Sequence, residues 1–256
     1  MRTVLRSLPV LWLCVVIVAA PRASAQVAFP SVEERVLGVR GDGAGMHGGP
    51  DGGRARIEFG DMELFGIAGL RISGARLFTA VRGVPVGAEL ARLGSPVGAQ
   101  QRACGSIGWR GDRWRASLRA GVESLALRGA ATESSPVIGL ASAADVGSLS
   151  LSADVETIAG GGDRAWLLAL AMTGRIGARA SVVTSLRYDG PGALALGVAA
   201  IAPLHSRLSL LAGYDDGTET LRVAAVIATG RWRVASGVFR HPVLGQSQGL
   251  SLAGDW

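Results

Sequence analysis

The sequence predicts an all-β fold, an antiparallel transmembrane β-barrel of about 12–14 strands behind a flexible Gly-rich N-terminal segment. Three observations predict it: a secretory signal, an apolar–polar alternation with a period of two, and large aromatic residues at predicted strand ends. The 256 residues are 48% hydrophobic and include only two cysteines, which excludes a disordered chain and a disulfide scaffold.

Residues 1–25 have the three parts of a cleaved secretory signal peptide. A basic start is followed by an apolar run from Leu8 to Ala20 and by a small-residue cleavage site that ends at Ala25. The apolar run has about 13 residues, fewer than the roughly 20 that a membrane-spanning helix needs. We therefore expect export across the inner membrane, with cleavage after Ala25.

Loss of this signal changes the charge of the chain. All 26 basic residues are arginines, and the formal net charge is +6. Cleavage removes three arginines and no acidic residue, which leaves 23 basic residues against 20 acidic ones. Because this balance is nearly even, we expect no nucleic-acid partner.

Residues 26–56 are predicted to be a flexible N-terminal segment, and residues 57–256 the barrel domain. The stretch from Gly41 to Gly53 reads GDGAGMHGGPDGG, a composition that cannot bury a hydrophobic core. Two places for it remain open: it folds into the lumen as a plug, or it lies in the periplasm.

Period-two alternation separates two faces in seven stretches of the barrel domain. On one face, 32 positions contain no charged residue, whereas 25 positions on the other face contain nine. We expect the charge-free face to contact lipid and the other face to line the lumen. The stretches are Trp114–Val122, Leu149–Thr157, Ala178–Tyr188, Leu208–Tyr214, Leu221–Ile227, Trp232–Val238 and Leu250–Trp256.

Aromatic residues indicate which medium meets the charge-free face. They stand at predicted strand ends, where an outer-membrane barrel has its aromatic girdles, whereas a globular core has its large aromatics in mid-strand. The predicted membrane-interface aromatics are Trp109, Trp114, Trp166, Tyr188, Tyr214, Trp232 and Trp256.

The strand number follows from the length of the barrel domain. At about 10 residues per tilted strand and 4 or 5 per turn, residues 57–256 provide roughly 13 or 14 strands, and an even number is expected. The longest apolar run of this domain, residues 193–204, is too short for a spanning helix, so only a closed barrel satisfies every backbone group in lipid.

Charged residues of the second face are the candidate lumen-lining residues. Two interpretations of these residues remain open, an anion-selective pore and a paired ladder, and the sequence slightly favours the ladder. Unpaired arginines would make the pore selective for anions, whereas arginines paired with acidic residues would form a ladder that fills the interior. The candidates are Arg115, Arg119, Arg179, Arg187, Arg222, Arg233, Asp154 and Glu156.

Enzymatic chemistry has little support in this sequence. The three histidines, His47, His205 and His241, are scattered among predicted turns and flexible segments, and Cys104 is alone after signal cleavage. His205 and Ser206 are adjacent, so in a strand they point to opposite faces and cannot form a dyad. We expect no catalytic residue, no metal site and no cofactor.

The last strand carries a family resemblance. Residues 240–252 read RHPVLGQSQGLSL, and the alternation continues to the terminal Trp256. This segment resembles the penultimate turn and last strand of outer-membrane barrels such as the type IX secretion shuttle protein and the long-chain fatty-acid transporter group. The resemblance implies that both chain ends face the periplasm.

We therefore expect an integral outer-membrane protein of the Gram-negative envelope, with the lipid bilayer and the barrel assembly machinery as partners. The main functional hypothesis is a porin-like passive conduit for a small anionic or lipophilic solute. One alternative is a non-conducting barrel that serves as anchor or accessory of a secretion or envelope-assembly system. A second alternative is a soluble secreted β-sandwich.

Overall fold

The computed structural model describes residues 31–37, 55–95, 97–160, 163–176, 180–189 and 194–256. The signal peptide, the stretch from Gly41 to Gly53 and the candidate Arg179 lie outside these ranges. Within the described ranges, no helix is long and apolar enough to cross a membrane.

In the described ranges, fourteen strands follow one short helix, which confirms the predicted fold class and the upper predicted strand number. The helix, α1, is Val32–Leu37. The strands are β1 Arg56–Glu63, β2 Arg71–Val81, β3 Val84–Ser95, β4 Gly98–Arg110, β5 Trp114–Leu127, β6 Glu133–Val146, β7 Leu149–Gly160, β8 Asp163–Ile176, β9 Ala180–Asp189, β10 Leu194–His205, β11 Leu208–Asp215, β12 Thr220–Thr229, β13 Trp232–His241 and β14 Gly245–Asp255.

The strands form one closed antiparallel barrel. Each strand pairs with its neighbours in sequence, and β1 closes the barrel by pairing with β14, with Arg56 opposite Asp255. A closed ladder provides a partner for every strand and removes the exposed edge of an open sheet. This single sheet also differs from the two packed sheets of a β-sandwich, the second alternative that the sequence left open.

The described chain ends meet at one end of the barrel. The Trp256 amide donates to the Ala55 carbonyl at 2.7 Å, and the Ala55 amide donates to the Trp256 carbonyl at 3.0 Å. We call this the termini end and the other one the opposite end. The described turns of the termini end are 82–83, 111–113, 147–148, 206–207 and 230–231.

Alternation in the sequence corresponds to the two faces of the barrel wall. On β12, Leu221, Val223 and Ile227 point outward and are exposed, whereas Arg222 and Ala224 point inward and are buried. Successive side chains of a strand point to opposite faces, so an apolar outer belt forms without any long apolar run.

Helix α1 is an element that the sequence analysis did not predict within residues 26–56. Ser31 precedes it, and the Glu34 amide donates to the Ser31 Oγ at 3.5 Å, an N-cap of the Ser-x-x-Glu type. A helix of six residues is unstable alone, because helices shorter than about 12 residues are marginal in water. Contacts with the barrel interior therefore hold it.

Candidate functional site

The barrel interior is the candidate site, and its two halves differ in chemistry. The inward faces of β1 to β7 carry charged residues near the middle of the strands, and we call them the ionic half. The inward faces of β8 to β14 are mostly small and apolar at that depth, and α1 lies against β10 to β14. We call this second region the apolar half.

Helix α1 packs its apolar side chains into the apolar half. Val32 and Val36 are 0% and 1% exposed, and Leu37 is also buried. They belong to one hydrophobic cluster with inward residues such as Leu211 on β11 and Phe239 on β13. Burial of such side chains stabilises the docked helix by about 1.5–3 kcal/mol each.

Inward glycines make room for this helix. A Cβ atom added to Gly213 would lie 2.4 Å from the Val36 carbonyl oxygen, and one added to Gly237 would lie 2.8 Å from Val32 Cγ1. At Gly249 it would lie 3.1 Å from Val32 Cγ2. Distances below 3.0 Å are closer than real Cβ atoms approach other atoms, so at Gly213 and Gly237 the wall fits α1 only without a side chain.

Polar contacts also tie α1 to the wall on both sides of the lumen. The Arg222 Nη1 donates to the Arg35 carbonyl at 2.7 Å, which satisfies a carbonyl near the helix C-terminus. The Arg233 Nη1 donates to the Glu33 Oε2 at 3.3 Å. On the far side, the Arg76 Nη1 of β2 donates a close hydrogen bond to the Glu34 Oε1, so the helix bridges the two halves.

Glu34 lies in an unusual electrostatic environment. Burial raises the pKa of its carboxyl to about 8, and the nearby carboxylates of Glu58 and Glu89 act in the same direction. The Arg76 guanidinium opposes this shift of the pKa. The protonation state of Glu34 is therefore coupled to the docking of α1.

A continuous chain of ion pairs runs through the ionic half. The Arg102 guanidinium contacts both carboxylate oxygens of Glu156, with Nη1 to Oε1 at 2.5 Å. The Arg119 Nη2 lies 3.0 Å from Glu156 Oε2 and 3.0 Å from Asp154 Oδ1. From the helix to β7, the order of the chain is Glu34, Arg76, Glu89, Arg102, Glu156, Arg119 and Asp154.

This network depends on small residues of β6. Arg102 on β4 reaches Glu156 on β7 although β5 and β6 lie between these strands. A Cβ atom added to Gly139 of β6 would lie 2.9 Å from the Arg119 Nη2, so a side chain there would displace the guanidinium. The ionic half is thus filled by side chains of the barrel itself.

The described candidate lumen residues point inward, and each has an oppositely charged partner. Arg119, Asp154 and Glu156 are brought together in the ion-pair chain. The remaining pairs are Arg115 with Asp145 at 3.6 Å, Arg187 with Asp215 at 3.8 Å, Arg222 with Asp215 at 2.6 Å, and Arg233 with Glu33 at 3.3 Å. This geometry fits the paired ladder better than a pore lined by unpaired arginines.

Sequence reasoning missed the residues that begin the ion-pair chain. Arg76, Glu89 and Arg102 lie on β2, β3 and β4, outside the seven alternating stretches. The sequence does contain a signal for these residues. Each of the three positions carries a charge on an inward face that is otherwise mostly small and apolar. The apolar run at residues 193–204 was a signal for the apolar half. A strand that is apolar on both faces contacts lipid with one face and needs apolar contacts in the lumen for the other.

All seven predicted interface aromatics lie on the outward face near strand ends. Four tryptophans are at the termini end, and one tryptophan and two tyrosines are at the opposite end. The first group is Trp109, Trp114, Trp232 and Trp256, and the second is Trp166, Tyr188 and Tyr214.

No family model matches the chain, and no curated protein matches its sequence. Among solved structures, the outer membrane protein Omp33 of Acinetobacter baumannii is similar with a TM-score of 0.54 at 9% identity, over 80% of this chain and 98% of that one. A mutant of the Rh. blastica porin aligns with a TM-score of 0.45 at 11% identity, over 79% of this chain and 99% of the porin.

The likeness to Omp33 extends over nearly the whole of that protein and shows the fold. The chain therefore has the architecture of an outer-membrane β-barrel. The narrower resemblance of its last strand to the secretion shuttle and fatty-acid transporter group is not shown by the likeness to Omp33.

Proposed function

We propose that this protein is an integral outer-membrane β-barrel that serves as a passive conduit for small solutes, and that α1 closes the conduit in the state described here. The observation that carries the proposal is the docking of α1 across the lumen. The helix packs against Gly213 and Gly237 on one side and pairs with Arg76 on the other.

A barrel of this size needs such an element to be closed. About eight strands give an interior that side chains alone can fill, and the diameter grows with strand number. This barrel has fourteen strands, and its wall beside α1 carries glycine and alanine at many inward positions. Departure of α1 would leave a passage there that the wall residues do not fill.

The groups beside that passage suggest the class of solute. When α1 leaves, Arg233 loses Glu33 and Arg222 loses the Arg35 carbonyl. Arg233 then has no ion-pair partner among the described residues, while Arg222 keeps Asp215, and both guanidinium groups lie on an otherwise mostly apolar wall. This combination favours small anionic or lipophilic solutes over cations.

Planar-bilayer recording tests this proposal on the chain that starts at Gln26. Val36→Asp places a charge in the apolar half and leaves every strand unchanged, so α1 should leave the lumen. We expect rare openings of the unsubstituted protein and sustained openings of the variant. Val243→Asp is the matched control, because Val243 is 84% exposed in a turn of the opposite end.

Folding of each variant is checked by the change of electrophoretic mobility on boiling. Folded samples that all stay silent contradict the conduit and support a non-conducting anchor. Equal conductance of the unsubstituted protein and Val36→Asp contradicts the closing role of α1.

A further inference from the structure

The two ends of the barrel differ in charge. Among the described residues, the exposed charged side chains of the termini end are six arginines and two aspartates, whereas the opposite end has four arginines and four acidic residues. The first set is Arg82, Arg110, Arg113, Arg175, Arg207, Arg231, Asp112 and Asp145. The second set is Arg71, Arg92, Arg128, Arg240, Glu63, Glu133, Asp216 and Glu219.

The arginines of the termini end are distributed around the barrel. Four of the five described turns there contain one, and the exception is the turn at 147–148. Arg82, Arg113 and Arg207 form no ion pair with any described residue, whereas Arg71 at the opposite end is paired with Asp61. We call the six arginines of the termini end the arginine rim.

Tryptophans place this rim at the depth of lipid headgroups. The Arg231 guanidinium lies 4.1 Å from the centre of the Trp256 ring and 5.9 Å from that of Trp232. Arg110 at the end of β4 and Arg113 in the β4–β5 turn lie between Trp109 and Trp114 in sequence. Because outward tryptophans of a barrel lie where the apolar band meets the headgroups, the neighbouring guanidinium groups reach the same layer.

We propose that the arginine rim binds the phosphate headgroups of anionic phospholipids in the leaflet at the termini end. Guanidinium groups bind phosphate through two parallel hydrogen bonds, and an anionic lipid surface attracts a neighbouring basic segment. The opposite end offers no such excess of positive charge among its described residues. The inference rests on the membrane location of the proposed function and is independent of conduction.

Native mass spectrometry of the detergent-solubilised chain from Gln26 tests the inference. The probes are phosphatidylglycerol and phosphatidylcholine with identical acyl chains. The first variant is Arg82→Gln/Arg113→Gln/Arg207→Gln, and the matched control at the opposite end is Arg92→Gln/Arg128→Gln/Arg240→Gln. We expect several-fold more phosphatidylglycerol than phosphatidylcholine adducts for the unsubstituted protein and the control, and near-equal adducts for the first variant.

Equal adducts of the two lipids on the unsubstituted protein overturn the inference, and so does an equal loss of preference in both triple variants. A second measurement does not depend on the variants. The thermal midpoint of the unsubstituted protein should be higher in micelles that contain phosphatidylglycerol, and this advantage should shrink as salt screens the charges. A midpoint that is the same with both lipids overturns the inference as well.

The bilayer recordings separate this outcome from that of the conduit. A preparation that conducts and shows no lipid preference refutes only the arginine rim. A preparation that prefers phosphatidylglycerol and stays silent refutes only the conduit.

Discussion

The apolar half and the ionic half of the lumen are filled in different ways by the same fold. In the ionic half, side chains of the wall meet one another, as Arg102 and Glu156 do across two intervening strands. In the apolar half, wall residues stay small and a separate element, α1, supplies the bulk. One side of this barrel is therefore filled by its own strands, whereas the other is filled by a separate segment of the chain.

Energetics sharpen the contrast. Each buried side chain of α1 adds about 1.5–3 kcal/mol, but ordering each of its residues costs about 1–2 kcal/mol of backbone entropy. These opposing terms are of similar size, so the polar contacts of Glu33, Glu34 and Arg35 decide whether α1 stays docked. In the ionic half, by contrast, loss of one partner leaves a buried charge that no movement of a helix can relieve.

The largest expected effect comes from breaking the ionic half. Glu156→Gln leaves Arg102 and Arg119 with weaker partners at positions that are 2% and 3% exposed. We expect a loss of about 3–5 kcal/mol in the free energy of unfolding, measured by urea titration in detergent. Glu133→Gln, an exposed residue of β6, is the control and should change this free energy little. Equal stability of both variants would show that the ion-pair chain contributes nothing.

A smaller effect is expected from overfilling the apolar half. Gly213→Val introduces a Cβ atom 2.4 Å from the Val36 carbonyl oxygen, and overpacking of this kind costs about 1–3 kcal/mol. Release of α1 relieves the clash, so trypsin should cut after Arg35 roughly ten-fold or more faster than in the unsubstituted protein. Gly105→Ala is the control, because an added Cβ atom would lie 3.9 Å from its nearest neighbour, the Gly87 carbonyl oxygen. Unchanged cleavage of a folded Gly213→Val barrel contradicts a displaceable helix.

Removing both partners of one ion pair tests why loss of a single charged partner in the ionic half lowers the free energy of unfolding. Arg102→Met/Glu156→Leu removes a buried charge of each sign, so the free energy of unfolding should stay within about 1 kcal/mol of the unsubstituted value. The same urea titration measures it. A double variant that is as unstable as Glu156→Gln would mean that packing, rather than an uncompensated charge, explains the loss.

A further expected effect is a pH dependence of docking. The folded-state pKa of Glu34, about 8, lies above its ordinary value of 4.5, so the docked helix holds a proton that the undocked one releases. Docking is therefore fully favoured below pH 4.5 and weakens as the pH rises toward 8, with Arg76 opposing and Glu58 and Glu89 reinforcing the shift. Amide hydrogen exchange of residues 31–37, corrected for intrinsic rates, should show less protection at pH 8 than at pH 5.

Glu34→Gln is the matched variant for this pH dependence, because it cannot titrate. Its corrected protection should be the same at both pH values. Equal protection of the unsubstituted protein at pH 5 and pH 8 contradicts the coupling between Glu34 and docking.

Much of the wall could be predicted from the sequence, because period two is a local property of each strand. The outward positions of Leu221 and Val223 and the inward ones of Arg119 and Glu156 follow from it directly. Helix α1 could not be predicted in this way, since a six-residue helix depends on strands that follow it by more than 150 residues. The pair of Arg102 and Glu156 could not be predicted for a similar reason. Alternation shows on which face of a strand a side chain lies, but not which distant strand that side chain contacts.

The seam between β1 and β14 has a consequence for assembly. The Val32 amide donates to the Ser251 Oγ of β14 at 3.4 Å, and Val32 also packs beside Gly249 of the same strand. The helix thus touches the last strand of the barrel, although it precedes the first strand in the chain. An open seam exposes the apolar half to α1, so the helix can form these contacts before the sheet is sealed and hold β14 in register for its final pairing.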